Sequence, residues 1–208
     1  MIELLTAATP NGRKISILLE ELDLEYQTKY IDLREKEQKQ TWFLKLNPNG
    51  RIPVIVDHEC DNFAVFESGA ILIYLAEKYG EFLPKDKFKR SEVLQWLMFQ
   101  MAGIGPMQGQ AHLFYRYADQ KIPYAIERYQ NETTRLYGGL ETQLEDKEFI
   151  AGEYSIADMA TFPWVDYYNW AGVDITPFPN LQAWLKRIWE RPAVKRGMDV
   201  PKVYERPQ

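Results

Sequence analysis

A single cysteine, Cys60, stands among 208 residues, so neither an internal disulfide framework nor a CxxC redox pair can be built, and a reducing cytoplasm suits the chain. Histidine is almost as scarce. His58 lies beside Cys60 in the turn "DHECDN" without further ligands at useful spacing, and His112 has no Ser-His-Asp context, so no metal is expected. No apolar run approaches the ~18 residues that a membrane span needs. The N-terminus opens with strand-like sequence at Ile2 in place of a basic segment and an apolar h-region, so no signal peptide is expected. Basic residues are outnumbered, 25 against 30, and scattered, which with a net charge of −5 argues against a nucleic-acid footprint.

What the chain does have is apolar substance: 46% hydrophobic and 14% aromatic residues, enough to bury the core of one large domain or two small ones. Up to about Tyr79, strand and helix signals alternate. Ile15, Leu18, Leu19 and Leu22 mark a helix with one apolar face, and "YQTKYI" alternates as a strand. "WFLKLNP" is a short helical patch, "IPVIVD" and "FAVF" are strands split by the turn around Cys60, and Ile71, Leu72, Leu75 and Tyr79 form a helix that Gly80 can close. The order βαβαββα predicts a mixed four-stranded sheet covered by helices.

Beyond the polar connection "YGEFLPKDKFK" the strand signals vanish. Ile122, Ile126, Tyr129, Leu136, Leu140 and Leu144 keep near-heptad spacing, and Leu181, Trp184, Leu185 and Ile188 repeat the amphipathic template. The expected division is residues 1–80, a linker at 81–88, and an all-helical bundle over 89–208, with kinks near Pro106 and Pro163. "SIAD" at 155–158 reads as a capping box that starts a helix, with Asp158 at its third position.

Three short stretches raise chemical questions. In "TAATPNGRK", Thr9 fits a helix N-cap and Pro10 the first helical position, which leaves the N–H groups of Asn11 and Gly12 to meet an anion. In "NGRIPVI", a proline entering a buried strand is explained by a trans turn or by a cis Ile52–Pro53 bond; residues alone favour trans, since cis is about 5–6% of X-Pro bonds. In "FESGAI", Ser68 can cap the following helix or bind a carboxylate with its backbone, and Glu67 suits the helix dipole.

Taken together, "TPNG", "NGRIPVI" and "FESGAILIYLAEKYG", followed by an all-helical half, resemble a cytosolic glutathione transferase. "IPYAIERYQNE", "GIGPMQGQ" and "YSIADMATFPWV" resemble its bacterial nu-class, the glutathione-dependent disulfide-bond oxidoreductases. The resemblance spans essentially the whole chain. It implies a thioredoxin-like α/β N-terminal domain, an all-α C-terminal domain, a cis Pro53 and a homodimer. It further implies that glutathione is the co-substrate, held by the Ile52 backbone, by Glu67 and Ser68 at the γ-glutamyl end, and by Gln38 at the glycyl end. Thr9 and Asn11 would face the sulfur, and Arg128 would contribute across the dimer interface.

That assignment gives the neutral helix start a purpose. A thiol of pKa about 8.5 is only ~3% ionised at pH 7, and lowering it by two units requires about 2.7 kcal/mol of preference for the thiolate. One charge-assisted hydrogen bond contributes ~1.5–3 kcal/mol and a helix terminus ~0.3–1 more. The ~25-fold gain in thiolate is largely offset by lower nucleophilicity, so most of the acceleration must come from alignment of the sulfur. With no cysteine in "TAATPNG" and no tyrosine ending the first strand, exchange must run between glutathione sulfurs and a small disulfide substrate. Conjugation of electrophiles and non-catalytic glutathione binding are the alternative activities.

Overall fold

The computed structural model describes residues 1–204, which form two compact units: Met1–Glu81 together with the residues from Arg191 onward, and Phe82–Glu190. In the first unit the order is β1 (Ile2–Thr6), α1 (Pro10–Glu21), β2 (Tyr26–Tyr30), α2 (Thr41–Leu46), β3 (Val54–Asp57), β4 (Phe63–Phe66) and α3 (Ser68–Tyr79). The sheet runs β2-β1-β3-β4, with β1 and β2 parallel and the other pairs antiparallel. This is the mixed sheet expected from the alternation of signals. Its core includes Leu4, Leu5, Leu18, Val54, Ile55 and Leu72, all fully or almost fully buried. Gly80 closes α3 with a positive φ of 75°, the left-handed cap that glycine adopts without cost to a Cβ.

α1 departs from the one-faced helix that its leucine spacing predicts: every residue from Gly12 to Leu19 is buried. The second face is covered by α9 (Pro192–Met198), the last helix, which returns to the first unit. A Cβ at Gly197 would lie 2.6 Å from the Ile17 Cα, so only glycine allows this approach. Ser16 donates to the Gly197 carbonyl at 2.6 Å, Arg13 Nε donates to the Met198 carbonyl at 2.8 Å, and Arg191 meets Glu21 with two bonds of 2.6 and 2.8 Å. The helical stretch expected as one body over 89–208 is thus divided at Arg191.

The second unit holds α4 (Lys87–Phe99), α5 (Gly105–Ala111), α6 (Pro123–Gln143), α7 (Ile156–Val165) and α8 (Pro179–Trp189). π-helical turns at Gln100–Ile104 and His112–Tyr117 flank α5, so Pro106 falls just after a helix already widened. Pro163 sits inside α7, which opens on the expected capping box. Asp158 accepts from the Ser155 and Ile150 backbones, both at 3.0 Å, and from Trp184 Nε1 at 2.9 Å. Burial pushes its carboxyl up to about 6 against the pull of these donors. Among the described residues, no helix is long and apolar enough to cross a membrane.

Candidate active site

Strand register decides which segments meet. Leu5 of β1 pairs with Val54 of β3, and Val54 pairs with Phe66 of β4. The residues just past these pairs therefore gather at one end of the sheet: the turn leading to Thr9, the Ile52–Pro53 step, and the Glu67–Ser68 junction. Of the eight residues expected to form a site, six share this end.

Thr9 is extended (φ −130°, ψ 159°) and its Oγ1 accepts the Gly12 N–H at 3.2 Å. The Gly12 donor is thus committed to the cap, which corrects the expectation that it faces a ligand. The Thr9 hydroxyl still carries a proton to donate, and Asn11 occupies the first turn beside it. A Cβ at Gly12 would fall 2.3 Å from Thr6 Oγ1 and 2.4 Å from the Ala7 carbonyl, so the helix can begin this close to β1 only with glycine.

The Ile52–Pro53 peptide is cis, as the family resemblance implies and against the ordinary preference. The loop before it is braced by Asn47, whose Nδ2 donates to the Arg51 carbonyl at 2.7 Å, and by Lys39 Nζ, which donates to the Asn49 carbonyl at 3.1 Å. Gln38 lies in the 3₁₀ turn Glu37–Lys39 against this loop: a Cβ at Gly50 would lie 2.8 Å from the Gln38 carbonyl. Its side-chain Oε1 is buried without a hydrogen-bond partner among the described residues, an acceptor suited to a ligand N–H.

Glu67 is exposed and holds the left-handed φ of 68°, which an ordinary residue adopts only at a cost. It occupies the N-cap position of α3 without a side-chain cap bond, and Ser68 is the first helical residue. Ser68 therefore does not cap the helix. Its buried Oγ accepts instead from Lys14 Nζ at 3.3 Å. Burial pulls the Lys14 ammonium down to about 7, opposed by the charge of Glu67. Lys14 was missed at the sequence level, although a lysine set in the apolar run "RKISILL" was the available signal.

Arg128 belongs to the other unit. It lies on α6 in a groove of about 660 Å³, lined also by Met107, Tyr124, Tyr129 and Arg135. His112 is a packed residue, with its ring stacked 5.8 Å from Trp164, and burial lowers it to about 4. Cys60 is exposed in the β3–β4 turn, beyond the Asp57–Phe63 pair and so at the opposite end of the sheet from Thr9 and Pro53. Among the described residues, no cluster of His, Cys, Asp or Glu could hold a metal ion.

Residues 2–77 match the family glutathione S-transferase, N-terminal domain, and residues 106–192 match glutathione S-transferase, C-terminal domain. The chain belongs to the glutathione S-transferase family. Within that family it is 47% identical over 203 residues to the disulfide-bond oxidoreductase YfcG of Escherichia coli, covering 95% of this chain and 94% of the relative. A glutathione transferase homologue from Lodderomyces elongisporus, solved with two GSH per subunit, superposes with a TM-score of 0.92 at 40% identity and covers 96% of this chain and 98% of its own. A glutathione transferase from Pseudomonas putida, solved with one glutathione disulfide bound per subunit, superposes with a TM-score of 0.92 at 42% identity, covering 96% and 91% of the two chains.

Proposed function

We propose that this transferase-family protein is a cytoplasmic glutathione-dependent disulfide-bond oxidoreductase acting on small or mixed disulfides. The observation that carries the reading is the position of Cys60: the chain's only thiol lies at the far end of the sheet from the candidate site. The attacking sulfur must then be brought in by the substrate. The relatives named above, one an oxidoreductase and others solved with glutathione or its disulfide, support that choice.

In this reading the Ile52 backbone beside the cis Pro53 pairs with the cysteinyl residue of glutathione. Glu67 and Ser68 take its γ-glutamyl end, and the Gln38 amide Nε2 donates to its glycyl carboxylate. Thr9 Oγ and the Asn11 amide donate to the sulfur and favour its thiolate. That thiolate attacks one sulfur of the substrate disulfide; a new S–S bond forms, the old one breaks, and the departing thiolate takes a proton from water. A second glutathione thiolate then attacks the mixed disulfide. The sum converts two glutathiones and one disulfide into glutathione disulfide and two thiols. The protein supplies alignment and anion stabilisation and no covalent intermediate of its own.

The functional unit is a homodimer in which the α6 face meets a second copy and Arg128 completes the partner's site. Tyr124 in that groove is 73% exposed in the single chain, an apolar ring of the kind that an interface covers. The test is reduction of 2-hydroxyethyl disulfide by glutathione. Turnover above the uncatalysed rate is expected, and turnover equal to it would end the proposal.

A further inference from the structure

Lys14 stands out because the site chemistry above does not use it. Its side chain is 1% exposed, among the largest fully buried side chains of the protein. A methionine or leucine in that position would fill the space without the desolvation cost of an ammonium. The ammonium instead donates to Ser68 Oγ at 3.3 Å, and Glu67 is the carboxylate whose charge acts on it. Both are residues that the proposed function assigns to the γ-glutamyl end of glutathione.

We propose that Lys14 is a positioning residue of the γ-glutamyl subsite, which binds glutathione tightly only while the Lys14 amine is protonated and so couples binding to proton uptake. This rests on the proposed function. The γ-glutamyl end carries an ammonium and a carboxylate. The exposed Glu67 carboxylate takes the ammonium, and the ligand's carboxylate then comes to lie at Ser68, above the Lys14 charge. With Lys14 neutral, Glu67 and the ligand carboxylate face each other across the subsite with no buried cation beneath them. By linkage, a carboxylate that binds the protonated form better also raises the affinity for that proton. Burial already brings Lys14 to about 7, so its charge is balanced near neutrality before any ligand arrives.

The other charges on the elements packed against α1 are directed elsewhere. Arg13 donates to the Met198 carbonyl and lies over the Tyr204 ring. Glu20 and Glu21 pair with Arg196 and Arg191. Lys195 and Asp199 are exposed on and after α9, and Glu3 of β1 meets His58. Further along α3, Tyr74 and Lys78 bind Asp57, and Glu77 and Tyr79 lie in its last turn.

The experiment uses S-methylglutathione, whose sulfur cannot ionise, titrated calorimetrically into the full-length protein between pH 6 and 9 in buffers of different ionisation enthalpy. A shift of one unit in Lys14 on binding corresponds to about a tenfold rise in Kd across that window, with part of a proton taken up near pH 7.5. Lys14→Met should bind weakly throughout and Lys14→Arg should bind well throughout. Neither should show that uptake. The ligand's own amine titrates alike in all three proteins, so the difference between them is the readout. Equal pH slopes and equal proton uptake in wild type and either variant would overturn the role of Lys14. No binding to the wild type at any pH would instead overturn the proposed function.

Discussion

Replacing Thr9 with alanine removes two interactions that can be measured separately. The first is the cap: Thr9 Oγ1 accepts the Gly12 N–H at 3.2 Å, and losing such a cap costs about 1 kcal/mol of stability. The second is the proposed donor to the glutathione sulfur. A hydrogen bond to a charged group contributes about 1.5–3 kcal/mol, so the bound thiol should rise by about 1–2 pKa units in Thr9→Ala. The rate at neutral pH should fall only a few-fold, because a less ionised thiol leaves a more nucleophilic thiolate. Thr9→Ser keeps the cap and the donor and should behave as wild type in both respects. The assay is the pH profile of kcat/KM with 2-hydroxyethyl disulfide, set beside ultraviolet titration of the bound thiolate and a urea melt. A stability loss without any movement of the bound thiol would refute the reasoning, since Thr9 would then be a cap and nothing more.

Other outcomes follow from the same geometry. Asn11→Ala should raise the bound thiol while the Thr9–Gly12 cap stays in place, and ultraviolet titration of the bound thiolate checks this. Asp158→Ala removes the acceptor of four donors in the core of the helical unit and should destabilise it by about 3–5 kcal/mol, read from denaturation monitored by tryptophan fluorescence. His112 is held near 4, below its ordinary 6.5, so its contribution is present above pH 6.5 and is lost as pH falls through 4. The difference in stability between wild type and His112→Phe should therefore shrink on acidification by as much as about 3 kcal/mol, measured by urea midpoints at each pH. Cys60→Ser should leave turnover unchanged, and an inactive variant would contradict a mechanism that takes its sulfur from glutathione.

Local signals were legible where neighbours in sequence decide the structure. The alternation in the first half produced the right strands, the glycine at position 80 closes its helix, and "SIAD" forms the capping box that it spells. What depended on distant packing was not. The leucine spacing of α1 describes one buried face, whereas its other face is covered by a helix some 180 residues later through Gly197, a contact that no local pattern records. The π-helical turns around α5 carry no simple spacing rule. At the candidate site, residues alone favoured a trans Ile52–Pro53 bond and left Ser68 open as a helix cap. The family resemblance pointed to cis, and the chain path gives the cap position to Glu67 and turns Ser68 toward Lys14. Burial of a cation was the least visible feature, because lysine is ordinarily a surface residue.

Crystals soaked with glutathione disulfide test the central claim most directly. One sulfur is predicted within hydrogen-bond reach of Thr9 Oγ1 and the Asn11 amide, with its tripeptide running past the cis Pro53 to Glu67. A disulfide bound with both sulfurs away from that helix start, or joined to Cys60, would contradict the account.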